Sequence, residues 1–97
     1  MAKIISGWVL MASDFCGGET VCLEKGIWLH YDEALKALIK VNTPKILRQL
    51  EYEPDAYLDD NDNPMTDPAS ICEHYYVGDN ARDDLFWLCN YNIPFYE

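Results

Sequence analysis

Positive charge is what this chain has least of. Its 97 residues hold seven Lys and Arg against 17 Asp and Glu, a net charge of −10. Residues 1–50 carry six bases and five acids, a balance of +1. Residues 51–97 carry one base, Arg82, and twelve acids, a balance of −11. That deficit argues against direct binding to DNA or RNA, because proteins displace phosphate counterions with Lys and Arg. It argues against an anionic membrane surface for the same reason. No apolar run approaches the roughly 18 residues of a membrane span. There is no Gly-rich phosphate loop, no His-Glu-x-x-His and no Gly-x-Ser-x-Gly, so the common nucleotide, zinc-protease and hydrolase signatures are missing. Internal repeats are missing too.

Cysteine is present but poorly spaced for metal. Five residues separate Cys16 and Cys22, and no Cys-x-x-Cys exists; structural zinc favours pairs separated by two to four residues. His30, Cys72 and His74 supply ligand types without a ligand pattern. Four cysteines would allow three disulfide pairings. The opening Met1–Ala12 has one base and a short apolar run, as a leader peptide does. Gly7 and Trp8 interrupt that run, and no small-residue cleavage site follows. The expectation is a cytoplasmic chain whose thiols are reduced and packed as small hydrophobes. No metal and no cofactor is expected.

About half of the residues are hydrophobic, and three Trp, seven Tyr and three Phe are spread through both halves. That suffices for one compact core. The pattern predicts an α+β fold, a small antiparallel N-terminal β-sheet packed against about three short α-helices in a single domain over 1–97. Residues 1–30 read as a hairpin or meander. Ile4–Met11 is the first strand, and Gly7 within it signals a bulge or a close backbone approach. Thr20–Leu29 is either a second strand interrupted at Glu24-Lys25-Gly26 or two strands joined there by a turn. Residues 31–53 read as two helices. The first runs from Asp32 to about Asn42, and Thr43-Pro44 caps and starts the second. Residues 54–69 read as an acidic loop, pinned by Tyr57, Leu58 and Met65. Residues 70–97 read as a possible strand, Ser70–Val77, then a helix bearing Leu85, Phe86, Leu88 and Cys89. Ile93–Tyr96 reads as a docked edge strand.

The strongest signal is the stretch Glu51–Asp67, with seven acids and no base. In an extended segment, residues two apart lie about 6.6 Å from one another. Glu51, Glu53 and Asp55 have that spacing, as do Asp60 and Asp62, with Asp59 beside them. Glu73, Asp79, Asp83 and Asp84 form a second group, the last three placed at the start of the expected third helix, where the dipole favours anions. Carboxylates held a few Å apart resemble a phosphate backbone, and each can accept a bidentate Arg. These ten residues are the candidate partner-binding set, and the partner they imply is a basic protein surface that normally holds nucleic acid. A solvated, solubilising loop is the plain alternative. An EF-hand reading fails: from Asp60 it puts Met65 where Gly belongs and Ile71 where Glu belongs, and from Asp59 it puts Pro64 and Ser70 there. The one local nucleophile–base candidate is Cys72 with His74, which would share a face if they lay on a strand. A buried Cys beside a partly exposed His is the commoner arrangement, so no enzyme activity and no catalytic residue is expected.

A short acidic chain of this kind resembles the phage-encoded anti-CRISPR proteins that act as DNA mimics. The opening Met-Ala-Lys-Ile-Ile-Ser-Gly-Trp-Val-Leu, the length and the acid-rich second half look most like the type I-F group. The resemblance implies a monomer in the cytoplasm of an infected bacterium. It implies binding to the large, PAM-reading subunit of the type I-F (Csy) surveillance complex and exclusion of target DNA from its basic channel. An immunity protein that neutralises a basic nuclease toxin would use the same electrostatics. A small thiol or metal enzyme is the rival from another class.

Overall fold

The computed structural model describes residues 2–13, 18–22 and 25–96. Its frame is strand β1 (Ala2–Ser13), to which every other strand is bonded. Along one edge runs β4 (Trp87–Tyr96), antiparallel and in unbroken register from Ala2↔Tyr96 to Met11↔Trp87. The other edge takes β2 (Glu19–Val21) and then β3 (Ile27–Trp28). These two pieces do not pair with each other. They are the interrupted second strand, and Gly26, at φ 116°, lies at the interruption. The alternative turn joining two mutually paired strands does not form. The turn that Cys16-Gly17-Gly18-Glu19 signals between the first two strands lies, at Cys16 and Gly17, outside the described residues.

Gly7 carries no bulge, since the register runs through it. It does mark a close approach: a Cβ there would sit 3.2 Å from both Ile27 Cγ2 and the Trp28 carbonyl oxygen. A side chain there would make β3 give way by a few tenths of an ångström, so glycine eases the close approach.

Three expectations are corrected. The first concerns the helices: residues 31–52 form one helix, α1 (Tyr31–Tyr52), with Pro44 inside it. A proline in a helix interior costs about 3 kcal/mol. Here one buried stripe, Ala34, Leu38, Asn42 and Ile46, continues at four-residue spacing across the proline. Breaking the helix would expose the far end of that stripe, so burial offsets the lost bond. Pro44 itself faces solvent, and the Thr43 hydroxyl donates to the Ile39 carbonyl at 2.6 Å.

The second concerns residues 70–77, which are not a strand. Ser70–Tyr75 belongs to α2 (Pro68–Tyr75), which packs against α1, while Tyr76 is its C-cap and Val77 makes a single bridge to Leu88. Asp67 caps it, its carboxylate accepting from the Ala69 N–H at 3.4 Å and the Ser70 hydroxyl at 3.0 Å. Pro68 follows at the first turn, where its missing N–H costs nothing. The third concerns the expected C-terminal helix, which is β4. The run Leu85–Cys89 is too short for periodicity to separate helix from strand. The long partner β1 decides it. The edge strand expected at Ile93–Tyr96 is the far end of β4. The fold is thus an antiparallel sheet with two helices rather than about three.

Leu10 and Leu88 from the sheet, Leu38 and Ile46 from α1, Ile71 and Cys72 from α2, and Tyr57 and Tyr76 from the loops form the core. Asn42 is the one buried polar residue among those described. Its Nδ2 donates to the Phe86 carbonyl at 2.8 Å and its Oδ1 accepts from the Phe86 N–H at 3.3 Å. Both backbone groups of one residue are satisfied by one amide, which fixes the start of β4 against α1.

Candidate functional site

The acidic stretch is not a loose loop. Tyr57 is buried, and its carbonyl accepts from the Met65 N–H at 2.8 Å. Leu58 and Pro64 bridge as a minimal antiparallel pair. The Asp59 N–H donates to the Asn63 carbonyl at 2.9 Å. One oxygen of the Asp59 carboxylate accepts from the N–H groups of Asn61 at 2.9 Å and Asn63 at 3.0 Å. Asp62 takes the left-handed conformation, φ 62°, which Asp tolerates better than most residues. The Tyr75 hydroxyl bonds to both the N–H and the carbonyl of Leu58, the latter very closely. The expected pinning by Tyr57, Leu58 and Met65 therefore has a physical basis, and Tyr75 is added to it.

A buried polar chain lies beneath. The Tyr57 and Tyr76 hydroxyls are 2.8 Å apart, and the Tyr76 hydroxyl donates to Asp84 at 2.9 Å. Burial, with those two partners, pushes the Tyr76 hydroxyl well above its ordinary pKa. Arg82 bonds to the other Asp84 oxygen at 3.0 Å. Its guanidinium lies over the Tyr57 ring at 4.8 Å and near the rings of Tyr75 and Tyr76 at 5.7 and 6.0 Å. The one base of the acidic half is thus committed to Asp84 and the tyrosine rings, in a pair that is itself partly exposed.

The ten candidate acids divide accordingly. Asp59 holds the turn and Asp84 holds Tyr76 and Arg82. Glu51, Glu53, Asp55, Asp60, Asp62, Glu73, Asp79 and Asp83 are exposed. Asp60 lies 3.7 Å from His74 of α2, which brings the acidic turn beside the helix that carries Glu73.

The assumed geometry is corrected in two places. Glu51, Glu53 and Asp55 are not an extended segment: Glu51 is in the last turn of α1, Glu53 is its C-cap and Asp55 lies in the turn beyond. Asp79, Asp83 and Asp84 do not start a helix, because none forms there. The dipole argument for that group therefore lapses. At α1 it reverses, since Glu51 and Glu53 sit at the negative end of the macrodipole and no base lies in the last turn. Acids there weaken the helix.

Comparison of the chain with family models, curated proteins and solved structures gives no match.

The geometry of the site leaves the rival constellations unassembled. Cys72 and His74 lie on a helix, about 200° apart around its axis. Cys72 is fully buried and its thiol is pushed up to about 11, chiefly by burial. Among the described residues, no three His, Cys, Asp or Glu side chains converge as metal ligands; Cys16 lies outside them. No described helix is long and apolar enough to cross a membrane. Sequence reasoning missed Asn42 as a clamp and the Tyr57–Tyr76–Asp84–Arg82 chain. Two signals were available. A lone Asn on an apolar helical stripe marks a buried amide, and a lone Arg among tyrosines marks an inward cation.

Proposed function

We propose that this protein is an acidic inhibitor of a nucleic-acid-binding machine, acting as a DNA mimic. In the form the family resemblance suggests, it is a phage protein that occupies the basic DNA- and PAM-binding channel of the type I-F (Csy) surveillance complex and blocks target binding. The observation that carries this reading is the sorting of charge. Arg82 is neutralised internally by Asp84, while eight acids from Glu51 to Asp83 face solvent on a frame fixed by buried tyrosines.

The placement of Glu51 and Glu53 favours a binding role over local stability, because acids at a helix C-terminus oppose the dipole. Asp60 and Asp62 stand on a turn whose backbone is already bonded. A partner therefore meets charges whose ordering cost is reduced before contact. Eight exposed carboxylates would meet Lys and Arg as phosphates do, and of these Asp60 alone lies beside a described basic side chain of residues 51–97, His74 at 3.7 Å.

A competition gel shift tests the proposal. Purified type I-F surveillance complex is mixed with this protein, then offered labelled PAM-containing duplex. The expected result is loss of the DNA shift together with co-elution of protein and complex. An undisturbed shift without co-elution would remove this target. An immunity role would then be tested against basic nuclease toxins.

A further inference from the structure

The projecting end of the sheet carries a second inference, independent of the acidic face. Below Gly7 the sheet narrows to two strands, Ala2–Ser6 of β1 and Asn92–Tyr96 of β4. No third strand pairs with either there among the described residues. Isolated two-stranded ribbons are marginal in water. The molecule is also long, 52 × 30 × 21 Å. Its radius of gyration is 14.9 Å, against about 12.5 Å for a compact chain of this length.

The direction of each backbone group follows from the hydrogen bonds. The Leu88 N–H donates to the Tyr76 carbonyl and its carbonyl accepts from the Gly78 N–H, both at 2.8 Å and both on the side away from β1. Alternation then turns the backbone of Asn90, Asn92, Pro94 and Tyr96 to that outer side. On β1, the Leu10 carbonyl accepts from the Cys22 N–H at 2.8 Å, on the side away from β4. Alternation turns Ser6, Ile4 and Ala2 to that side as well. The two open edges differ. That of β4 has no donor at Pro94, which blunts it. That of β1 presents an N–H and a carbonyl at each of Ala2, Ile4 and Ser6.

We infer that the Ala2–Ser6 edge of β1 pairs with the same edge of a second copy of this chain, antiparallel and about a twofold axis at Ile4. The edge is self-complementary in that register, with Ile4 opposite Ile4 and Ala2 opposite Ser6. It is also where copies repel least. Lys3 is the one charged residue in 2–13, whereas an acidic face would meet its own charge. Pairing converts each marginal ribbon into the middle of a sheet ordered β4-β1-β1-β4. The outer edges are then the proline-blunted ones, so assembly closes at two copies. The exposed Ile27, within β3, and Leu29, just after it, flank the joint. This replaces the monomer expected from the family resemblance.

The test is the mass of the full chain in solution by sedimentation, over a hundredfold range of concentration. The expected mass is twice 11.2 kDa at the upper end. Ile4→Pro removes an N–H that faces the open edge and leaves the β1–β4 ladder intact, so it gives a monomer with an unchanged circular dichroism spectrum. A wild-type chain that is monomeric throughout overturns the inference, and so does a folded Ile4→Pro chain that stays dimeric. Should that variant fail to fold, amide exchange on the wild type decides. Slowing at Ile4 and Ser6 as concentration rises, with none at Asn90 and Asn92, supports the pairing. Exchange at Ile4 and Ser6 that ignores concentration overturns it.

Discussion

The turn from Tyr57 to Met65 and the ribbon formed by Ala2–Ser6 with Asn92–Tyr96 are opposites. The turn is acidic, polar and rich in chain breakers. Yet it is bonded to itself through Asp59 and to the core through Tyr57 and Tyr75. The ribbon is apolar and β-branched, a strand by any pattern, and it extends past the last residue that supports it. Apolar content tells where a chain can be buried. What fixes a segment is where its polar groups are paired and whether a neighbour lies on each side.

The sharpest way to break the contrast is to remove the anchor of the turn. Tyr57→Ala deletes a buried ring that packs on Tyr75, Tyr76 and Arg82. It should destabilise the protein by about 3–5 kcal/mol, read by urea unfolding, and should free the amides of Asn61 and Asn63 to exchange. If those amides stay protected, the turn holds itself and the anchoring argument is wrong.

The next test acts on the supported end of β4. Asn42→Ala leaves the half-buried Phe86 N–H and carbonyl without their protein partners, a loss of about 1–3 kcal/mol. The accompanying sign is faster exchange at Phe86, with the Tyr57–Met65 turn unmoved.

A smaller effect separates the two kinds of acid. Asp59→Ala should cost about 1–2 kcal/mol, because its carboxylate holds two backbone N–H groups. Asp60→Ala, at an exposed neighbour, should stay within about 0.5 kcal/mol. Equal losses would erase the distinction between structural and free acids.

The smallest effect has the opposite sign. Glu51→Lys places a cation at the C-terminus of α1 and should stabilise the fold by about 0.3–1 kcal/mol. The same change should weaken partner binding. A variant that gains stability and binding together would argue against a role for Glu51.

Which parts of this were legible in the sequence follows the same physics. The first strand, the start of α1 at Asp32 and Glu33, and the pinned turn rest on local signals, and each can be read from a few neighbouring residues. The close approach at Gly7 could be read from a single glycine. Three features could not. Pro44 looks like a boundary until the stripe from Ala34 to Ile46 is known to be buried on both sides of it. Trp87–Cys89 becomes strand only because β1, some eighty residues earlier in the chain, lies alongside. The division of the acids into free and committed depends on Tyr76 and Arg82, whose inward placement no spacing reveals. The spacing argument for Glu51, Glu53 and Asp55 and the dipole argument for Asp79, Asp83 and Asp84 were not sound, because Glu51 is helical and no helix forms over 79–84.

The most direct measurement is a competition titration with the surveillance complex and labelled PAM-containing duplex, at about 0.15 M salt where exposed charges are screened beyond about 8 Å. Wild-type protein is compared with the double variant Asp60→Lys, Asp62→Lys, whose fold is checked by circular dichroism. The account predicts that wild type displaces the duplex and that the folded variant does so at least a hundredfold less well. A variant that displaces the duplex as well as wild type would contradict it.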